Sequence, residues 1–270
     1  MQFATINGVT LHYQVIGAQP DKPVVVFANS LGTDFRIWRD LVVRLAGDYA
    51  IVNYDKRGHG LSDTGDSPYE MADHINDLAA LLDHLDVTNA VICGLSVGGM
   101  IAQGLALTRP DLVRALILCD TGHKIGNDDL WNERIAAVEE GGIEAISDDI
   151  MSRWFSEAFR VADNPDFEGY RNMLIRTPKA GYIGTSVAIR DTDYTDDVSN
   201  ISVPTLCVVG DEDGSTPPEL VKELASLISG ANCDIIEGAG HLPCIEKPDQ
   251  LYDLISPFLS FVSSDGGARG

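Results

Sequence analysis

With 270 residues, 44% of them hydrophobic, the chain can bury a large core in one or two domains. Its formal net charge of −22 opposes binding to nucleic acid or to an anionic membrane, since both need a basic surface. The excess of acid does not forbid an anionic substrate, but the site itself must then supply the cations.

Taken in order, residues 4–15 alternate around Asn7-Gly8, a strong hairpin signal. The apolar run 23–28 predicts a strand buried on both faces, ending in the polar loop Asn29-Ser30-Leu31-Gly32. Helical spacing over 36–46 and a strand at 49–54 follow. The charged, glycine-broken loop 55–62 comes next, and its charges are expected to pin the chain beside the site rather than join the chemistry. Apolar residues recur at helical spacing over 71–85.

Residues 90–107 are the centre of the pattern. An apolar strand breaks at Gly94-Leu95-Ser96-Val97-Gly98 and resumes as a buried helix that stops at Pro110. This is the nucleophile elbow, a strand, sharp turn and helix with a serine hydroxyl exposed at the apex. The uncharged run 90–108 is nearly long enough to cross a bilayer, but its glycines, Ser96 and Gln103 suit a buried strand-turn-helix better. After a strand at 113–119 the alternation stops. Residues 122–189 carry helical patterns, at 135–146 and 151–159 among others, with no apolar strand. Strand 205–209, helix 217–229, strand 233–236 and helix 248–262 complete the chain, with a frayed tail expected at 263–270.

Strands alternating with helices imply an α/β fold with a mainly parallel, doubly wound sheet and an antiparallel N-terminal edge. Residues 1–121 and 190–270 are then the core, and 122–189 a helical cap inserted at the carboxyl end of a strand, where such sheets bind ligands. Residues 1–8 lack the basic and apolar regions of a signal peptide. The five cysteines are odd in number and without metal-ligand spacing, and Cys93, Cys119 and Cys207 fall in apolar strands. Both features point to a reducing cytoplasm.

A serine needs a base within hydrogen-bond reach. His241, in the glycine-flexed loop Gly238-Ala-Gly-His after the last strand, fits best. His59 precedes the elbow and breaks the expected chain order, while His123 opens the cap and is a candidate substrate contact. The acid that orients the base is expected at Asp213, in Gly210-Asp-Glu-Asp, with Asp120 at the end of the preceding strand as its competitor. Two amides facing the developing oxyanion are expected from Val97 and Leu31.

The loop 55–62, the Gly94–Met100 elbow, Gly210–Asp213 and Gly238–His241 together resemble the α/β-hydrolase superfamily. Finer strings resemble one branch, the 3-oxoadipate enol-lactonases. These are Asn29-Ser-Leu-Gly-Thr33, Tyr54-Asp-Lys-Arg-Gly-His-Gly60, Arg134-Ile-Ala-Ala-Val138 followed by Gly141-Gly142, and Arg153-Trp-Phe155. The resemblance implies Ser96, Asp213 and His241 as triad, Leu31 and Val97 as oxyanion amides, and no metal or organic cofactor. Many relatives carry His-Gly where this chain has Asn29-Ser30. The substitution alters the loop's hydrogen bonding and leaves the Leu31 amide available.

The implied substrate is a small anionic enol-lactone whose free carboxylate needs a cation. The cap holds seven of the nineteen Lys and Arg residues; Arg134 and Lys124 are the candidates, with Trp131 and Trp154 as apolar walls. The competing activities are a general carboxylesterase, a lactonase for another ring, and a small-molecule receptor with a retained triad. A serine at position 96 disfavours dehalogenase and epoxide-hydrolase chemistry. A homo-oligomer is compatible with all of these.

Overall fold

The computed structural model describes residues 1–19 and 22–264. Eight strands form one sheet: β1 (Gln2–Ile6), β2 (Val9–Ile16), β3 (Val24–Ala28), β4 (Ala50–Tyr54), β5 (Ala90–Leu95), β6 (Val113–Cys119), β7 (Thr205–Gly210) and β8 (Asn232–Ile236). Their order across the sheet is β1-β2-β4-β3-β5-β6-β7-β8, with the β1–β2 and β2–β4 pairings antiparallel and all the others parallel. This is the α/β architecture expected. Every residue of β4, β5 and β7 is buried, as the uninterrupted apolar runs require of strands covered on both faces.

The covering helices follow from apolar faces at helical spacing. Helix α1 (Arg39–Leu45) contacts α10 (Pro248–Ser263), which lies along β6, β7 and β8. Helix α2 (Met71–His84) packs on α3 (Val97–Thr108), which lies along β3, β5 and β6. Helix α8 (Pro218–Leu227) covers β7 and β8, and a short α9 (Pro243–Glu246), absent from the sequence pattern, precedes α10. Among the described residues no helix is long and apolar enough to cross a membrane.

Four helices, α4 (Asp128–Gly141), α5 (Ser147–Trp154), α6 (Pro165–Ile175) and α7 (Lys179–Arg190), stand between β6 and β7. Their bounds differ from the periodicity in two places. The pattern over 135–146 predicts one helix, but α4 starts earlier, capped by the Asn127 side chain on Leu130 N, and stops where Gly142 takes a φ of +73°. A 3-10 turn at Ile143–Ile146 replaces the rest. The pattern over 151–159 is likewise displaced: α5 begins at Ser147, with Asp148 and Asp149 favourably placed at its positive end, and stops where Phe155 turns extended. The expected frayed tail lies outside the described residues from 265 onward.

Candidate active site

Between β5 and α3 the chain reverses at Ser96, whose φ of 58° and ψ of −123° lie where side-chain-bearing residues rarely sit. The flanking glycines make the turn sterically feasible. A Cβ on Gly94 would stand 2.2 Å from Gly98 O, and one on Gly98 only 2.0 Å from Ala28 O at the end of β3. Ser96 N donates to Cys119 O at 3.0 Å and Thr121 Oγ1 donates to Ser96 O at 2.7 Å, so the strained residue is tied to the end of β6. Gly98→Ala is therefore expected to cost about 2–3 kcal/mol through overpacking. A lower urea midpoint at unchanged m-value checks it.

Val97 is the first residue of α3, so its N–H has no partner within the helix. The second candidate amide comes from the loop after β3. There Asn29 Nδ2 donates to Thr33 O, Thr33 Oγ1 donates to Ser30 O at 3.0 Å, and Gly32 N donates to His59 Nε2 at 3.1 Å. His59 Nδ1 lies 3.2 Å from Arg57 O, which makes Nδ1 the protonated nitrogen of a neutral ring. Burial first, and Lys56 second, hold that ring's pKa well below its ordinary value. Among the described residues the Leu31 N–H donates to no acceptor.

The loop 55–62 holds this arrangement from behind. Lys56 Nζ donates to Asn29 O at 3.2 Å and Ser30 O at 2.6 Å. Arg57 forks onto Asp77 of α2 at 2.6 and 2.7 Å. Asp55 accepts from Phe35 N and Leu61 N and pairs with His12 Nδ1 at 2.7 Å.

His241, in the loop after β8, is 1% exposed and has Nδ1 2.8 Å from Asp213 Oδ2. Asp213 in turn accepts from Ser215 N, Thr216 N and Thr216 Oγ1, at 2.7, 3.0 and 2.6 Å. Burial alone would raise the Asp213 carboxyl, but His241 and Thr216 outweigh it and hold the group below its ordinary value. Asp120 behaves oppositely. Fully buried at φ +45°, it accepts from Gly210 N at 2.9 Å through Oδ1, and among the described residues Oδ2 has no partner. Burial and then the neighbouring Asp213 charge push its carboxyl well above the ordinary range. Of the two candidate acids, Asp213 is therefore the charged one that grips His241.

Ser96 and His241 open onto one cavity, which is also lined by Leu31, Trp131, Arg134 and Trp154. Among the described residues Ser96 Oγ and His241 make no hydrogen bond with each other, a contact that commonly tightens only when substrate seats. Trp131 is pinned by its Nε1 donating to Ile125 O at 2.7 Å, and the Arg134 guanidinium lies 4.9 Å over its ring.

Two expected contacts are corrected. Lys124 does not line the cavity; it is half exposed and paired with Asp193 at 2.9 Å. His123 is buried away from the cavity, and its backbone O accepts from Tyr194 N. The sequence does not assign several further lining residues to the site, among them Arg153, Tyr182 and Ser215. Arg153 pairs with Asp149 one turn earlier at 3.0 Å, which in sequence is an ordinary surface pair.

Asp120, Asp213 and His241 place ligand-type atoms within 4.8 Å of one another. Those of Asp213 and His241 are spent on each other and on Thr216, so they do not form an open cage.

A strained serine, an imidazole held by a carboxylate and two free amides make up the equipment of acyl transfer. Residues 23–248 match the family model described as alpha/beta hydrolase fold. The chain belongs to the α/β-hydrolase family. This hydrolase is 33% identical over 245 residues to 3-oxoadipate enol-lactonase 2 of Acinetobacter baylyi, covering 90% of this chain and 91% of that one. It is 31% identical to 3-oxoadipate enol-lactonase 1 of the same organism, with 95% of each chain covered. The crystal structure of the enol-lactonase from Burkholderia xenovorans matches it with a TM-score of 0.93 at 32% identity, over 96% of this chain and 100% of that one. The resemblance seen in the sequence strings thus extends along the hydrolase as a whole, and the hydrolase is an ester-hydrolysing enzyme.

Proposed function

We propose that this hydrolase opens the ring of 3-oxoadipate enol-lactone to give 3-oxoadipate, a step of the β-ketoadipate route of aromatic catabolism. Arg134 carries the proposal. It is the cavity-lining cation with no carboxylate partner among the described residues, whereas Arg153 is already paired. A small anionic lactone would meet that charge while its carbonyl lies over Ser96. The enol-lactonase relatives support the same substrate class.

In this mechanism His241 Nε2 takes the proton of Ser96 Oγ as the oxygen attacks the lactone carbonyl. Asp213 keeps Nδ1 of the ring protonated and stabilises the imidazolium that forms. The Leu31 and Val97 amides receive the oxyanion. Collapse breaks the ring C–O bond and expels an enolate that stays tethered to the acyl group. The imidazolium proton, delivered to its carbon directly or through a water, makes the ketone and returns His241 to its neutral form. Water then adds to the acyl-enzyme with His241 as base, and the Ser96 C–O bond breaks to release the diacid.

We further propose that residues 122–189 act as the lid of this site, working on a soluble, cytoplasmic substrate without nucleic acid or membrane. Trp131 and Trp154 would form its apolar walls.

A ring-opening assay on the enol-lactone beside a neutral aryl ester, with Ser96→Ala as control, tests the assignment. Turnover of the lactone well above that of the ester is expected. An ester preferred to the lactone would favour a general carboxylesterase. Arg134→Ala should raise KM for the lactone about 10- to 100-fold, the range of a lost charged hydrogen bond, and leave ester turnover level. An equal fall for both substrates would count against a carboxylate clamp.

A further inference from the structure

Lys56 is 1% exposed and makes no ion pair among the described residues. A buried ammonium without a carboxylate partner is costly, and satisfying the loop does not demand one, because Ser30 O already accepts from Thr33 Oγ1. The geometry says what the charge does instead. Lys56 Nζ donates to Ser30 O at 2.6 Å, and Ser30 O belongs to the same peptide unit as the Leu31 N–H. That unit is trans, since the one cis bond among the described residues is Ser67–Pro68. In a trans peptide the C=O and N–H point in opposite directions. Fixing Ser30 O on Lys56 therefore aims the Leu31 amide away from it, and Leu31 lines the cavity with Ser96. The second bond, to Asn29 O at 3.2 Å, fixes the preceding peptide unit as well.

We propose that Lys56 is a positioning residue for the oxyanion site, aiming the Leu31 amide and polarising its peptide unit. The ammonium sits at the oxygen end of that dipole, so its field strengthens the N–H at the other end, where negative charge develops. The inference rests on the acyl-transfer reading above and adds to it a group that never touches substrate.

The charge is poised to be lost. Burial pushes the Lys56 ammonium down to about 7, although Asp55 and Asp34 favour the charged form. Both neighbouring imidazoles, His59 and His74, are held neutral, chiefly by burial, so they do not change charge above pH 7. As pH rises through about 7 the amine still donates to Ser30 O, but the field on the Leu31 amide is gone, and kcat falls.

The test compares wild type, Lys56→Met and Lys56→Arg. For each, kcat and KM for a neutral aryl ester are measured between pH 6 and 9, with binding of phenylboronic acid, which forms a tetrahedral adduct on the active serine. Lys56→Met is expected to lose about 100-fold in kcat, with KM within about threefold, the size seen when one oxyanion donor is lost. Its boronate affinity should fall in parallel. Lys56→Arg should recover most of the rate and lack the alkaline fall, because a guanidinium does not deprotonate in that range. Wild-type kcat and boronate affinity in Lys56→Met, or the same alkaline fall in Lys56→Arg, would overturn the proposal and leave acyl transfer standing. A wild type that neither opens the enol-lactone nor binds the boronate would overturn both together. Should Lys56→Met not fold, the arginine variant and the wild-type pH profile decide the matter alone.

Discussion

Ser96→Ala should lower kcat for lactone and ester alike by about 10⁵- to 10⁶-fold, leaving only what the amides and binding provide over water. Fold stability should hold or rise slightly. Alanine keeps the buried bonds of the turn, from Ser96 N to Cys119 O and from Thr121 Oγ1 to Ser96 O, and loses only a hydroxyl that has no hydrogen-bond partner among the described residues. A cooperative melt at or above the wild-type temperature, together with the lost turnover, separates chemistry from folding. Residual activity within tenfold of wild type would mean that another group attacks the carbonyl.

The second large effect distinguishes the two buried carboxyls. Asp213→Asn should lower kcat about 10⁴-fold, because an amide can offer His241 Nδ1 an N–H and so favours the wrong tautomer. Asp120→Asn should change kcat less than about tenfold. Asparagine is a neutral isostere of a carboxyl whose charged form burial and the Asp213 charge disfavour, and its carbonyl can still accept from Gly210 N. The same pair predicts a pH effect on stability. Asp213 sits below its ordinary value, so its contribution is present above the unfolded carboxyl pKa and is lost as pH falls through the folded one. Urea midpoints across acid pH should fall more in wild type than in Asp213→Asn, which keeps only the losses from other carboxylates held low, such as Asp193. Reversed kinetics, with Asp120→Asn the crippled variant, would transfer the acid's role to the end of β6.

The elbow, the sheet and His241 were legible because each depends on local signals: apolar runs, glycine spacing and chain order around Ser96. The acid was only half legible. Asp120 and Asp213 both follow strands, and what separates them is tertiary, namely the three donors from Ser215 and Thr216 that gather around Asp213. The helices between β6 and β7 were the least legible part. Their amphipathic patterns show which residues are charged but not which face meets the cavity, so Lys124 looked as suitable as Arg134, and Arg153 entered only as part of the string Arg153-Trp-Phe155. Gly142 ends α4 by its backbone conformation, which overrides an apolar period that runs on to Ile146. In the loop 55–62 the sequence indicates a pin. Only the structure reveals that Lys56 grips the carbonyl of the peptide unit that Ser30 shares with the cavity-lining Leu31.

The most direct test of the central claim is the intact mass of the protein, acid-quenched milliseconds after mixing with excess enol-lactone. Because the leaving enolate stays attached to the acyl group, the protein should gain the full mass of the lactone, carried on Ser96 by peptide mapping. The gain should be absent from Ser96→Ala. Rapid ring opening with no adduct at any time point, or an adduct on a different residue, would contradict covalent catalysis by Ser96.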